Sequence, residues 1–165
     1  MVKYWISLIL ITTILSCNTS NKTSKIEDNL PDEVITDSIQ LIQKSDSLKK
    51  LGYNVFTYKE ANKHYLMQEY FMVQLLAGDN DSIPKEVLSQ LQQDHLAYLS
   101  KMYDLGHASL IGPMNNGKEW RGIVVYNTPS LKMADSLANQ DPLVKSGALK
   151  VKTTGWWTEK GGKLK

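Results

Sequence analysis

Apolar and polar residues alternate in several distinct registers along this chain of 165 residues. Trp5 through Leu15 form an apolar run broken only by Ser7, Thr12 and Thr13. Residues 18 to about 33 then hold almost no apolar side chains. Such a stretch buries too little surface to offset the entropy of ordering, so it reads as a flexible tether. Next, Ile39, Ile42 and Leu48 fall loosely on one side of a short helix, which Thr36 or Asp37 would cap and Gly52 would end after Leu51. Asn54 to Tyr58 reads as a short extended segment, an added strand at the edge of the main domain.

The main domain is expected from about Tyr65. Gln68 to Ala77 has the pattern of a strand, with Tyr70, Met72 and Leu76 on one face and Phe71, Val73 and Leu75 on the other. Both faces are apolar, so both should be covered. Pro84 opens a helix to about Asp104, with Ser82 as the candidate cap. Its residues Leu88, Leu91, His95, Leu99 and Met102 recur at steps of three and four and predict one apolar stripe. Gly106 ends it. Ala108 to Ile111 is a second strand, closed by Gly112-Pro113, and Asn115 to Lys118 is a turn. Trp120 to Tyr126 is a third strand, Leu131 to about Asn139 a second helix, and Asp141-Pro142 opens a one-turn element. Leu149 to Trp157 is the last strand, with Lys150 and Lys152 outward.

The order β-α-β-β-α-β is that of an α+β, ferredoxin-like fold, a split βαβ arrangement. Its helices cover one face of an antiparallel sheet, so a second copy or the added N-terminal segment must cover the other. A face-to-face homodimer is the favoured reading. The chain thus divides into a signal over 1–16, a tether with a short helix over 17–50, and the domain over 51–165.

Charge and cysteine usage sharpen this picture. The formal net charge is +2 and Arg121 is the only arginine, which argues against nucleic acid as a partner. The first apolar run is too short to span a bilayer, which takes about 20 apolar residues, and matches the core of a secretory signal. Ile14-Leu15-Ser16-Cys17 at its end resembles the lipobox of bacterial lipoproteins. That resemblance implies cleavage before Cys17, lipidation of its thiol, and anchoring in the bacterial envelope at the periplasmic side of the outer membrane. Cys17 is the only cysteine, so no disulfide forms within the chain. The alternative is an uncleaved anchor or plain secretion, with Cys17 a free thiol.

Candidate chemistry is sparse. His95 lies on the apolar stripe and, taken alone, reads as a core histidine. Asp141, just before Pro142, taken alone reads as a helix N-cap. Brought together, an imidazole oriented by a carboxylate becomes a proton-transfer device, and a carboxylate has oxygens enough for both roles. Glu69, Asp79 and Asp81 are a weaker acidic group. His64 and His107 lack metal-ligand spacing, and there is no glycine-rich phosphate loop, so neither metal nor cofactor is expected. Trp120, Trp156 and Trp157 read as packing or dimer contacts, with ligand stacking as the alternative.

From about Gln68 to Trp157 the chain resembles the YCII-related proteins. The resemblance rests on Tyr70-Phe71-Met72-Val73, His95-Leu96-Ala97-Tyr98-Leu99, Gly112-Pro113 and Asp141-Pro142, in that order. It implies a dimeric ferredoxin-like domain with a cleft, in which the residues at His95 and Asp141 form the proposed active-site pair. One relative is a dehydrochlorinase acting on a chlorinated hydroxyhydroquinone. Many members carry a basic residue shortly before the histidine, where this chain has Gln92 and Gln93. The resemblance therefore implies a cofactor-independent lyase or isomerase acting on a small molecule. The competing reading is a non-catalytic module that binds a small molecule or a protein.

Overall fold

A computed structural model describes residues 32–115 and 117–164. The signal-like run, Cys17 and most of the tether lie outside the described residues. Helix α1 (Asp32–Lys50) precedes a hairpin of β1 (Val55–Glu60) and β2 (Lys63–Ala77). Then follow α2 (Lys85–Asp104), β3 (Ala108–Pro113), β4 (Trp120–Tyr126), α3 (Leu131–Ala138), the single turn α4 (Pro142–Lys145) and β5 (Leu149–Glu159). The fold is the α+β, ferredoxin-like arrangement, formed by β2-α2-β3-β4-α3-β5.

All strand pairs are antiparallel and share one sheet. Across it the order is β5-β2-β4-β3, and β1 continues the β4 edge of β2 beyond Tyr70. Phe71, Val73 and Leu75 of β2, with Val124 and Tyr126 of β4, face the helices and form the core with Leu99, Met102 and Ala134. The opposite face is covered differently along its length. Leu66, Gln68 and Tyr70 are buried there beside α1, whose Ser45 is buried as well. Farther along the same face, Met72, Leu76 and Ile123 are only half-buried. The two-sided apolar pattern of β2 is thus answered in part by the chain's own N-terminal helix.

Several local expectations need correction. The first helix starts at Asp32, so Thr36 and Asp37 lie inside it and not at its N-cap position. Ser82 does not cap α2 either: that position is Pro84, with no side-chain cap, while Ser82 Oγ donates to Asn80 Oδ1 at 2.8 Å. Strand β2 begins five residues before Gln68, because Ala61-Asn62 closes a tight hairpin in which Glu60 faces Lys63.

The helix ends behave as the glycines predict. After α2, Gly106 adopts φ +73° and donates to the Tyr103 carbonyl while His107 donates to the Met102 carbonyl, a Schellman closure. After α1, Gly52 and Tyr53 do the same against Lys49 and Leu48.

Candidate active site

Helix α2 packs on the sheet and against α4, which carries His95 to the point where α4 begins. Asp141 caps α4, its Oδ1 accepting from the Leu143 N–H at 2.9 Å. Its other oxygen, Oδ2, stands 2.6 Å from Nδ1 of His95. Asp141 therefore meets both the helix N-terminus and the imidazole, one on each oxygen. The pair is buried: His95 is 6 % exposed and Asp141 2 %. An ionised carboxylate only accepts hydrogen bonds, so beside it Nδ1 carries the hydrogen and donates. Among the described residues no hydrogen bond occupies Nε2.

His95 lines a cleft of about 650 Å³, within the range of small-molecule sites. Leu88, Leu96, Leu99, Ile111 and Leu143 give it mostly apolar walls, and Gln92, Asn80, Asp81 and Arg121 bring polar groups to it. The apolar stripe of α2 therefore divides. Leu99 and Met102 are core, whereas Leu88, expected to be core, is 40 % exposed and forms cleft wall.

The end of the cleft is held by hydrogen bonds to the backbone carbonyls that follow α4. Gly78 donates to the Ala148 carbonyl at 2.9 Å, Asn80 N–H to the Gly147 carbonyl at 3.2 Å, and Asn80 Nδ2 to the Ser146 carbonyl at 2.9 Å. A Cβ on Gly78 would collide with the Gly147 carbonyl, so only glycine permits this approach.

Two tyrosines stand beside the pair. Tyr98, almost one turn beyond His95, donates to the Leu137 carbonyl at 2.8 Å. Burial pushes its hydroxyl pKa up, and the negative charge of Asp141 adds to this. Tyr126 is raised further, by burial first and then by Tyr98 and Asp141. Both phenols therefore keep their protons at neutral pH. Sequence reasoning passed over both, although the spacing of Tyr98 from His95 puts them on neighbouring turns. It also missed Arg121 at the cleft.

The remaining candidates lie elsewhere. Glu69 accepts from Asn54 Nδ2 at 3.0 Å in mid-strand, while Asp79 pairs with Lys150 at 3.0 Å in the loop beyond β2. Roughly 25 Å of extended chain separates Glu69 from the two aspartates, so the acidic group does not assemble. His64 Nδ1 is 2.7 Å from Ser38 Oγ, beside a smaller depression of about 340 Å³ under α1. No three potential metal ligands cluster among the described residues. Trp120 Nε1 donates to the Gly122 carbonyl, Trp157 packs against Phe56 with ring centres 5.1 Å apart, and Trp156 is exposed.

Residues 66–156 match the YCII-related domain. The match covers more than half of the chain, runs from β2 into β5 and includes both His95 and Asp141. No curated protein matches this chain.

Proposed function

This chain belongs to the YCII-related domain family, and on that premise we propose that it is a cofactor-independent enzyme moving a proton on a small molecule bound in the His95 cleft. One observation carries the proposal: the 2.6 Å contact between His95 Nδ1 and Asp141 Oδ2 leaves Nε2 as the uncommitted ring nitrogen of a histidine that lines a cleft of about 650 Å³. Asp141 fixes the imidazole's orientation and the side on which its hydrogen sits, while Nε2 accepts or returns the substrate's proton. That is the working part of a lyase or isomerase. The test is exchange in heavy water. Small hydroxy acids and aromatics that raise the melting temperature are incubated with the protein and followed by proton NMR. The wild type incorporates deuterium into a carbon-bound position, and His95→Gln slows this by about 10²–10⁴-fold. Equal rates in both proteins would overturn the proposal.

One feature favours a binding module instead. Both Asp141 oxygens are committed, and the imidazole is almost fully enclosed. A purely structural pair would look the same on these two counts. In that case ligands bind, no deuterium enters, and His95→Gln changes affinity alone.

The proposal extends to the chain's setting. Lipidation at Cys17 would tether the domain to the bacterial envelope at the periplasmic face of the outer membrane, with the following segment as spacer; more than one acyl chain makes such anchoring stable. Among the described residues no helix is long and apolar enough to cross a membrane. Mass spectrometry of the membrane fraction should find acyl chains on Cys17, and Cys17→Ala should move the protein to the soluble fraction. A homodimer through the half-covered sheet face, around Met72 and Ile123, completes the reading.

A further inference from the structure

Strand β4 carries an irregularity at the edge of the cleft. Gly122 pairs with Leu75 of β2, but the next residue of β2, Leu76, pairs with Trp120. Arg121 is passed over, while on the other side its carbonyl still accepts from the Met114 N–H at 2.8 Å. A bulge of this kind leaves one residue unpaired and re-aims its side chain, and bulges are frequent beside active sites. The residue displaced is the only arginine of the chain, and it lines the same cleft as His95.

Among the described residues no carboxylate takes up the charge of Arg121. Nη1 donates to the neutral carbonyl of Gly117 at 3.0 Å. None of the ion pairs among the described residues involves Arg121. A guanidinium held by one backbone carbonyl keeps further donors in a planar fork, the geometry that grips a carboxylate by two parallel bonds. The rest of the cleft is mostly hydrocarbon, from Leu88, Leu96, Ile111 and Leu143. Asp81, from the loop after β2, is the opposing charge that lines it, so an anion is favoured only at the Arg121 wall.

We infer that Arg121 is the anchor for the ligand's anionic group, and that the cleft selects small, apolar, ring-sized carboxylic acids. The inference rests on the cleft being the ligand site, as proposed above, and deepens that reading by naming the substrate class. It asks nothing of the chemistry at His95.

The test compares benzoate with benzamide, which share a ring and differ in charge. Each is titrated into the protein from residue 18 onward, with binding followed by the amide signals of cleft residues. The wild type should bind benzoate more tightly than benzamide, and the preference should weaken as salt is raised. Arg121→Gln should weaken benzoate binding by about tenfold or more and leave benzamide unchanged. Arg121→Lys, which keeps the charge without the fork, should fall between them. His95→Gln should retain the benzoate preference. Equal affinity for the two probes, no binding of either, or a preference that survives in Arg121→Gln would overturn the inference. Absence of deuterium exchange with the preference intact would remove the catalytic reading and leave the anion site standing.

Discussion

His95 and Asp141 lie 46 positions apart in sequence and meet with Nδ1 and Oδ2 at 2.6 Å, both nearly sealed from solvent. The contact ties the middle of the first domain helix to the entrance of the last strand. It therefore carries two loads, one on stability and one on chemistry, and these separate by substitution. Asp141→Ala removes the cap of α4 and strands His95, so it should cost about 3–5 kcal/mol. Asp141→Asn keeps an oxygen for the Leu143 N–H but offers the imidazole an amide. It should melt closer to the wild type while losing up to about 10⁴-fold of any proton-transfer rate. Chemical denaturation beside deuterium exchange reads both.

The tyrosines next to the pair predict alkaline behaviour. Tyr126 and Tyr98 have pKa values raised above the ordinary value of about 10, chiefly by burial. A phenol with a raised pKa in the folded state stabilises the fold fully below the unfolded value, and the contribution is lost as pH climbs through the folded one. Stability should hold to about pH 9 and fall beyond pH 10. Lys160 works in the opposite sense, since burial and Lys44 lower its pKa, so its penalty is relieved as pH rises toward its ordinary value. Tyr126→Phe should flatten the alkaline loss in melting curves taken across that window.

Two glycines should fail for different reasons. Gly78→Ala forces a Cβ into the Gly147 carbonyl and should cost about 1–3 kcal/mol while loosening the cleft end. Gly106→Ala meets no atom within 4 Å, yet must hold φ +73°, and should cost about 1–2 kcal/mol without touching the cleft. Denaturant midpoints, with ligand affinity alongside, distinguish the two.

The proposed dimer has its own test. Met72, Leu76 and Ile123 sit half-buried on the sheet face that α1 leaves open. Sedimentation equilibrium of the chain from residue 18 onward should give a dimer, and Ile123→Lys should give a monomer with the same circular dichroism spectrum. A monomeric wild type at micromolar concentration would remove the dimer from the account.

The element order and most strand faces of this fold could be read from the residues, because period-two and period-three-to-four patterns survive packing. The β1–β2 hairpin could not, since its turn is Ala61-Asn62, with Ala61 at φ +50° and none of the glycine that usually marks such turns. Nor could the stripe of α2 show where core stops and cleft begins, because Leu88 and Leu99 have the same side chain. The pair itself was readable only jointly: each member alone has an ordinary structural role, and their meeting followed from the element order together with the resemblance to the YCII-related proteins. Arg121 was hidden because a bulge is a fact of pairing between strands, and a single strand's alternation does not record it.

The most direct measurement is the ¹⁵N spectrum of the His95 imidazole with and without a cleft ligand. The account predicts that Nδ1 carries the hydrogen, that Asp141→Asn disturbs it, and that the Nε2 signal shifts when benzoate fills the cleft. A hydrogen on Nε2 with Nδ1 bare, or an Nε2 signal indifferent to the ligand, would contradict it.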